Sequence, residues 1–93
     1  MTECRVHFWV SGRVQGVFFR VYTEKTAKQL ELKGLVRNLP DRRVEVIAEG
    51  PKEKLEEFIK WAKEKGSPYS SVTKVEVEWE EFRDEFVDFR TTY

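Results

Sequence analysis

The chain changes from a strand-like to a helix-like pattern within one stretch, Ser11–Arg20, which reads SGRVQGVFFR. Apolar residues alternate before it and recur with helical spacing after it, so it is predicted to be a loop between a strand and a helix. Gly12 and Gly16 permit positive φ angles, with which a loop curls and turns successive N–H groups inward. Arg20 is predicted to lie at the helix N-terminus, where a positive charge is unfavourable unless an anion faces it. The stretch therefore predicts an anion site suited to a phosphoryl group.

The hydrophobic pattern on either side of this loop predicts five strands and two helices. Strands are predicted at Cys4–Ser11, Leu35–Leu39, Val44–Gly50, Val72–Phe82 and Phe86–Thr91, and helices at Arg20–Leu32 and after Gly50-Pro51. The main elements follow the order strand–helix–strand–strand–helix–strand, which is the order of the ferredoxin-like or split βαβ fold. We therefore predict an α/β (α+β) sandwich in which two helices cover one face of a mainly antiparallel sheet.

Local features refine this fold prediction. Lys33-Gly34 is expected to end the first helix, and Pro40-Asp41 is expected to turn the chain into the third strand. Trp79 and the two valines that alternate with it are expected to face the core, while the glutamates between them form a solvated face and no metal site. Trp61 lies off the apolar stripe of the second helix, so we expect it to be half-buried at the helix edge.

Composition limits the classes of partner. With 93 residues, the chain is expected to form a single domain over residues 1–93. The formal net charge is zero although 37% of the residues are charged, which argues against nucleic acid as a partner. No membrane-spanning stretch or signal-peptide pattern is found, so we expect a soluble, cytoplasmic protein without a membrane partner. Abundant Glu, Lys and Arg with one asparagine is typical of thermostable proteins.

Few residues are available for metal or disulfide chemistry. Cys4 is the only cysteine and His7 the only histidine, which excludes an internal disulfide and a zinc centre of His and Cys ligands. The alternation of the first strand places Cys4 on its buried face and His7 on its partly exposed face. We therefore predict neither a metal nor a cofactor.

The glycine loop differs from other loops that handle phosphate. A Walker loop requires Lys-Ser or Lys-Thr after its second glycine, and no such pair follows Gly16. Cysteine-dependent phosphatases carry their nucleophile six residues before the arginine, and here that position is Val14. Between Gly12 and Arg20 the loop also holds no Ser, Asp or His that would serve as a nucleophile. Anion binding by backbone N–H groups and Arg20 remains, with water as the attacking group.

Asn38 is the candidate for positioning that water. It lies at the predicted end of the second strand, just before the hairpin turn. Its amide accepts one hydrogen bond from a water and donates another to a substrate, but it is no strong base. This suits a reaction whose leaving group is already good or whose substrate supplies the base.

Each of these residues also has a purely structural interpretation. The glycines, taken alone, are typical of a strand-to-helix turn. Arg20 has the i, i+4 spacing for a surface ion pair with Glu24. Asn38 is a common turn former ahead of Leu39-Pro40. We favour the site because the three structural interpretations would have to coincide at this one spacing.

Two motifs in this chain resemble the signatures of the acylphosphatase family. They are GRVQGVFFR at Gly12–Arg20 and GLVRN at Gly34–Asn38, and the spacing between them also fits. The segments Val44–Val46 and Glu49-Gly50 fit the same pattern after the hairpin, so the resemblance covers nearly the whole chain.

The resemblance implies an enzyme that hydrolyses acyl phosphates, which are carboxyl–phosphate mixed anhydrides, to a carboxylate and inorganic phosphate. Arg20 and the N–H groups of the loop would hold the phosphoryl oxygens, and Asn38 would orient the attacking water. The phosphoryl group would take the proton of the water, without a metal, a cofactor or a covalent intermediate. The implied partner is a small-molecule acyl phosphate, and we expect a monomer. The loop residues are Gln15, Gly16, Val17, Phe18 and Phe19.

Some positions depart from the family pattern or leave their role open. The family hairpin usually carries Asp-Gly where this chain has Asp41-Arg42, so Arg42 is expected either to be strained or to adopt another turn type, with the site preserved. The last segment, Val87–Tyr93, follows the family only loosely, and we expect this to affect docking of that edge and not the chemistry. Arg13 is expected to be exposed and to attract anions towards the site. Phe18 and Phe19 are expected to pack the loop.

The alternative function is a non-catalytic ferredoxin-like module that binds an anion or RNA. Gly16–Tyr22 faintly resembles an RNA-binding motif of such sheets, whose aromatic residues lie on central strands. Here the motif is predicted to enter a helix, and the net charge is zero. A silent anion-binding domain would not need an asparagine at the position of Asn38. These three observations favour the enzyme.

Overall fold

The computed structural model describes residues 2–93. Its elements in chain order are β1 (Glu3–Arg13), α1 (Phe19–Gln29), β2 (Lys33–Asn38), β3 (Val44–Pro51), α2 (Lys52–Glu64), β4 (Ser71–Glu80) and β5 (Phe89–Thr91). The strands form one sheet in the order β4-β1-β3-β2-β5. All neighbours are antiparallel except β2 and β5, which are parallel. The predicted ferredoxin-like α+β fold is confirmed.

The core lies between the two helices and one face of the sheet. On β1 the alternating residues Val6, Phe8 and Val10 are at most 1% exposed, as the period-two pattern predicts. The apolar stripe of α2 packs against this face, and the ring of Phe58 meets Phe8 edge-on at a centroid distance of 5.6 Å. Phe58 also meets Phe89 at 5.8 Å, so the short strand β5 is anchored in the same core.

Some predicted boundaries were wrong, and so was the predicted burial of Trp79. Helix α1 ends at Gln29, and the residue with positive φ after it is Glu31 (φ 59°), whereas Gly34 lies inside β2. Trp79 is 45% exposed because β4 is an edge strand, whose inward side chains have neighbouring strand residues on one side only. The last strand begins at Phe89 and not at Phe86.

The late start of β5 follows from an ion-pair network on the outer face of the sheet. Arg5 and Glu49, on neighbouring strands, are 4% and 2% exposed and approach to 3.4 Å. Glu49 accepts hydrogen bonds from the backbone N–H groups of Arg83 (2.7 Å) and Glu85 (2.9 Å). Arg5 also pairs with the Glu85 carboxylate at 2.6 Å. Residues 81–88 therefore lie across the sheet and reach the ladder only at Phe89.

Glu49 gives this network a defined pH dependence. Burial raises the pKa of Glu49, but the N–H groups of Arg83 and Glu85 and the Arg5 guanidinium together lower it further, so the pKa lies below its ordinary value. A carboxyl with a lowered folded-state pKa stabilises the fold above its unfolded pKa, which is near 4.3 for Glu. That stabilisation is lost as the pH falls through the folded-state pKa.

We expect Glu49→Gln to lower the free energy of unfolding by about 2 kcal/mol at neutral pH, because Arg5 loses a buried partner. The difference from the unsubstituted chain should shrink as the pH falls below about 4. Urea denaturation at both pH values measures it. Glu56→Gln, on the exposed face of α2, is the matched control and should change little at either pH. An undiminished difference in acid would contradict this account of Glu49.

Candidate active site

The loop between β1 and α1 has the curled backbone that the two glycines predicted. Gly16 has φ 74°, and a Cβ added there would meet nothing within 4 Å, so the glycine serves the backbone conformation alone. Gly12 lies before this loop, inside β1 at a register shift against β4; it has φ 119°, and a Cβ there would stand 2.2 Å from the Ser71 carbonyl oxygen. Phe18 is also left-handed (φ 62°), which is a sparsely populated conformation for a bulky residue.

This backbone leaves a run of donors without partners in the protein. Within residues 2–93, the N–H groups of residues 15–19 donate no hydrogen bond to a backbone or side-chain acceptor. The first paired donor in the helix is the N–H of Tyr22, which bonds the Phe18 carbonyl oxygen at 3.1 Å. The loop donors thus add to the partial positive charge of the α1 N-terminus. Such an arrangement is suited to an anion.

Two side chains anchor the loop, and sequence reasoning found neither contact. Ser67, which follows α2 and is 2% exposed, donates from Oγ to the Val17 carbonyl oxygen at 2.8 Å. Gln15 Nε2 donates to the carbonyl oxygens of Leu39 and Arg43, each at 2.9 Å. The loop is therefore fixed on one side to the α2–β4 connection and on the other to the β2–β3 hairpin. No local motif predicts contacts between residues so far apart in the chain.

Arg20 lies half-buried in the first turn of α1, where the sequence placed it. Its Nη1 donates to the Thr92 carbonyl oxygen at 3.1 Å, and its Cζ stands 4.7 Å from the centroid of the Tyr93 ring. The alternative partner, Glu24, instead accepts hydrogen bonds from Thr91 N (2.8 Å) and Oγ1 (3.2 Å). The residues from Thr91 onwards therefore contact Arg20 and Glu24 of α1.

Asn38 is the last residue of β2 and is half-buried. Its Oδ1 is buried without a hydrogen-bond partner among residues 2–93. An unpaired buried amide oxygen is unfavourable by about 1–3 kcal/mol unless water or a ligand satisfies it, so this atom is available to accept a hydrogen bond from a bound molecule.

Thr92, which directly follows β5, links strand β2 to Arg20. The N–H of Thr92 donates to the Val36 carbonyl oxygen of β2 at 2.8 Å, and the carbonyl oxygen of Thr92 accepts from Arg20. Arg20 is thus tied through one residue to the strand that ends at Asn38. The structure brings the loop, the arginine and the asparagine to the same end of the sheet by these contacts.

Not all expectations for the loop residues hold. Phe19 is 1% exposed and packs in the core, as expected, but Phe18 is 66% exposed and lines a surface groove with Tyr22 and Tyr69. Arg42 has φ 78°, which confirms the expected strain. Its N–H bonds the Leu39 carbonyl oxygen at 3.1 Å, so it occupies the left-handed position of a short hairpin loop that usually holds glycine.

The other polar candidates lie away from this loop. His7, on the outer face of the sheet, contacts the Glu45 carboxylate at 2.8 Å and stacks on Trp9 at 4.0 Å. Cys4 is half-buried. Residues 2–93 contain no group of three or more His, Cys, Asp or Glu side chains placed to hold a metal ion. None of the described helices is long and apolar enough to span a membrane.

The Gln15 contacts predict a mechanical coupling between the loop and the hairpin. Gln15→Ala removes two hydrogen bonds, so the free energy of unfolding should fall by about 1–2 kcal/mol. The Leu39 amide, which bonds the Arg43 carbonyl oxygen at 2.8 Å, should exchange its hydrogen faster in the native state. Gln29→Ala, at the exposed end of α1, is the matched control. Unchanged exchange at Leu39 would contradict the coupling.

Comparison with known proteins agrees with this geometry. A family model described as acylphosphatase matches residues 6–91. An acylphosphatase from Syntrophobacter fumaroxidans is 52% identical over 93 residues, which cover 100% of this chain and 95% of the relative. One from Pyrobaculum islandicum is 45% identical over 97% of this chain and 95% of its own length. The crystal structure of acylphosphatase from Bacillus subtilis superposes with a TM-score of 0.92 at 38% identity, covering 97% of this chain and 99% of that one. The chain therefore belongs to the acylphosphatase family.

Proposed function

We propose that the curled loop, Arg20 and Asn38 carry out the hydrolysis of acyl phosphates, the activity that membership of the acylphosphatase family supports. Arg20 and the N–H groups of Gln15, Gly16, Val17, Phe18 and Phe19 hold the phosphoryl oxygens. Asn38 orients the water that attacks phosphorus. The observation that carries this proposal is the run of unpaired N–H groups in the left-handed loop in front of the half-buried Arg20.

The loop contributes by being in place before the substrate arrives. Ser67 donates to a loop carbonyl oxygen and the Gln15 side chain donates to carbonyl oxygens of the hairpin, so the loop N–H groups need no reorganisation when charge develops on the phosphoryl oxygens. Fixed donors of this kind are worth roughly a hundredfold to a thousandfold in rate each. The hydrogen bond to Thr92 limits the positions of the Arg20 side chain, and a guanidinium offers paired N–H groups that match two phosphoryl oxygens.

The water has a partner in Asn38. Its unpaired Oδ1 accepts a hydrogen bond from the water and so directs the water lone pair towards phosphorus. The bond from water oxygen to phosphorus forms while the bond from phosphorus to the acyl oxygen breaks, and the electron pair leaves with the carboxylate. The proton of the water passes to a phosphoryl oxygen. Phosphoryl transfer of this kind depends mainly on positioning and charge stabilisation, so no strong base is needed at Asn38.

The RNA-binding alternative fits the fold less well. Gly16–Tyr22 lies in the loop and in the first turn of α1, and not on the central strands β1 and β3 where such motifs present their aromatic residues. With a net charge of zero, we propose a protein without a nucleic-acid or membrane partner. We also propose that it is a thermostable, cytoplasmic, single-domain monomer.

Benzoyl phosphate hydrolysis, followed by ultraviolet absorbance in the presence of EDTA, tests the proposed function. We expect rapid turnover that inorganic phosphate inhibits and EDTA leaves unchanged, because residues 2–93 hold no cluster of metal-ligating side chains. The ester p-nitrophenyl phosphate, with a poorer leaving group, should be hydrolysed far more slowly. Loss of activity with EDTA would contradict the metal-free mechanism.

Two substitutions should separate anion binding from water positioning. Arg20→Ala should lower kcat/KM by about a thousandfold or more and also abolish inhibition by phosphate, because both need the guanidinium. Asn38→Ala should lower kcat by about a hundredfold while the inhibition constant of phosphate stays nearly unchanged. Steady-state kinetics with benzoyl phosphate and phosphate measures both.

Arg90→Ala is the matched control for Arg20, because Arg90 is exposed on β5 and pairs only with Asp88 at 2.9 Å among the described residues. It should leave both constants unchanged. Weaker phosphate inhibition in Asn38→Ala, in proportion to its loss of kcat, would overturn the assignment of water positioning to Asn38.

A further inference from the structure

Two arginines beside the phosphate loop take no part in the mechanism above. Arg13 ends β1 and Arg42 lies in the hairpin, and both line a surface pocket of about 270 Å³ together with Gly12, Val14 and Gln15. Gln15 belongs to the phosphate loop, so the pocket is continuous with that loop. The hydrogen bonds from Gln15 to Leu39 and Arg43 hold the hairpin, and with it Arg42, against this side of the loop.

Neither guanidinium is neutralised within the described part of the chain. No carboxylate of residues 2–93 lies within 4 Å of a charged nitrogen of Arg13 or Arg42. The acidic neighbour of Arg42 in sequence, Asp41, is engaged elsewhere, since it accepts hydrogen bonds from the backbone N–H (3.1 Å) and Nε (2.8 Å) of Arg43. The carboxylate of Asp41 is therefore bound to Arg43 and does not pair with Arg42.

Arg42 also occupies its position against a conformational preference. At φ 78° a glycine would be favoured by about 1 kcal/mol or more. Strain of this kind is concentrated at functional sites, where the surrounding structure maintains it. Here the strained backbone holds Arg42 at the pocket that Arg13 also lines, so two guanidinium groups without a carboxylate partner among the described residues lie at one pocket.

We propose that Arg13 and Arg42 form a second anion subsite, which binds a negatively charged group on the acyl part of the substrate. The inference rests on the proposed function, since the loop must hold the phosphoryl group while the subsite holds the distal anion. The substrate class is then an acyl phosphate whose acyl chain carries a carboxylate or a second phosphate. Because both guanidinium groups are exposed, the gain in affinity should be modest and sensitive to salt.

Calorimetric titration with phosphonates, which the enzyme does not hydrolyse, tests this subsite separately from turnover. The carboxylate series is phosphonoacetate, 3-phosphonopropionate and 4-phosphonobutyrate. The reference series is the alkylphosphonates of equal length, whose distal end carries no charge. Propane-1,3-diphosphonate replaces the distal carboxylate by a phosphonate. We expect the ligand of matching length with a distal anion to bind about fivefold more tightly at low salt than the alkylphosphonate of the same length. This preference should vanish near 1 M salt.

Variants assign the preference to the two arginines. Arg42→Gly and Arg13→Gln should each reduce it, Arg42→Lys should retain most of it, and all three should keep the affinity for methylphosphonate. Arg42→Gly also relieves the positive φ, so its thermal midpoint should not fall and lost preference cannot be attributed to unfolding. Lys54→Gln, which removes one exposed cation from α2, is the charge-matched control and should keep the preference.

The outcomes separate the two proposals. Equal binding of phosphonates with and without a distal anion would overturn the proposed subsite. The same loss of preference in Lys54→Gln would overturn it as well. A preference confined to the diphosphonate identifies a distal phosphate, and one shared by the carboxylates identifies any distal anion. Phosphonate binding with no hydrolysis of benzoyl phosphate would overturn the proposed function while the subsite stood.

Discussion

The candidate site depends on the left-handed backbone at Gly16 and Phe18, where the N–H groups of residues 15–19 have no acceptor among residues 2–93. An ordinary strand-to-helix turn would pair several of them. Unpaired donors are unfavourable in a folded protein unless solvent or a ligand satisfies them. The backbone N–H groups of the loop are therefore available to bind an anion. The side chains around the loop serve mainly to hold its conformation.

Three distant parts of the chain share the task of holding it. Ser67 fixes the loop from the end of α2, Gln15 ties it to the hairpin, and Thr92 holds Arg20 from the end of β5. Strand β5 is only three residues long, yet its pairing with β2 fixes the position of Thr92. The ion pair of Arg5 and Glu49 affects the loop less directly: it holds residues 81–88, which lead the chain into β5. Stability and site geometry are therefore coupled through this segment.

The sequence predicted most of the fold because the relevant signals are local. Alternation on β1 and helical spacing on α2 identified the buried residues, and the glycines identified the loop. Where burial depends on a neighbour, as for Trp79 on an edge strand, periodicity was insufficient. The contacts of Gln15 and Thr92 join residues more than twenty positions apart, which no local pattern encodes. The residues proposed to act on substrate were thus identified from sequence, whereas the residues that hold them were not.

The distribution of charge explains how a protein of zero net charge presents the proposed site for a phosphoryl group. On the outer face of the sheet, acidic and basic residues on neighbouring strands neutralise one another, as Glu45 does with Arg37. At the loop, Arg20 is bonded to a carbonyl oxygen, which carries no formal charge and leaves the guanidinium positive. Charge that is paired contributes little field at a distance, whereas unpaired charge beside a helix N-terminus does. The pairing pattern, and not the total charge, therefore determines which anions this protein attracts.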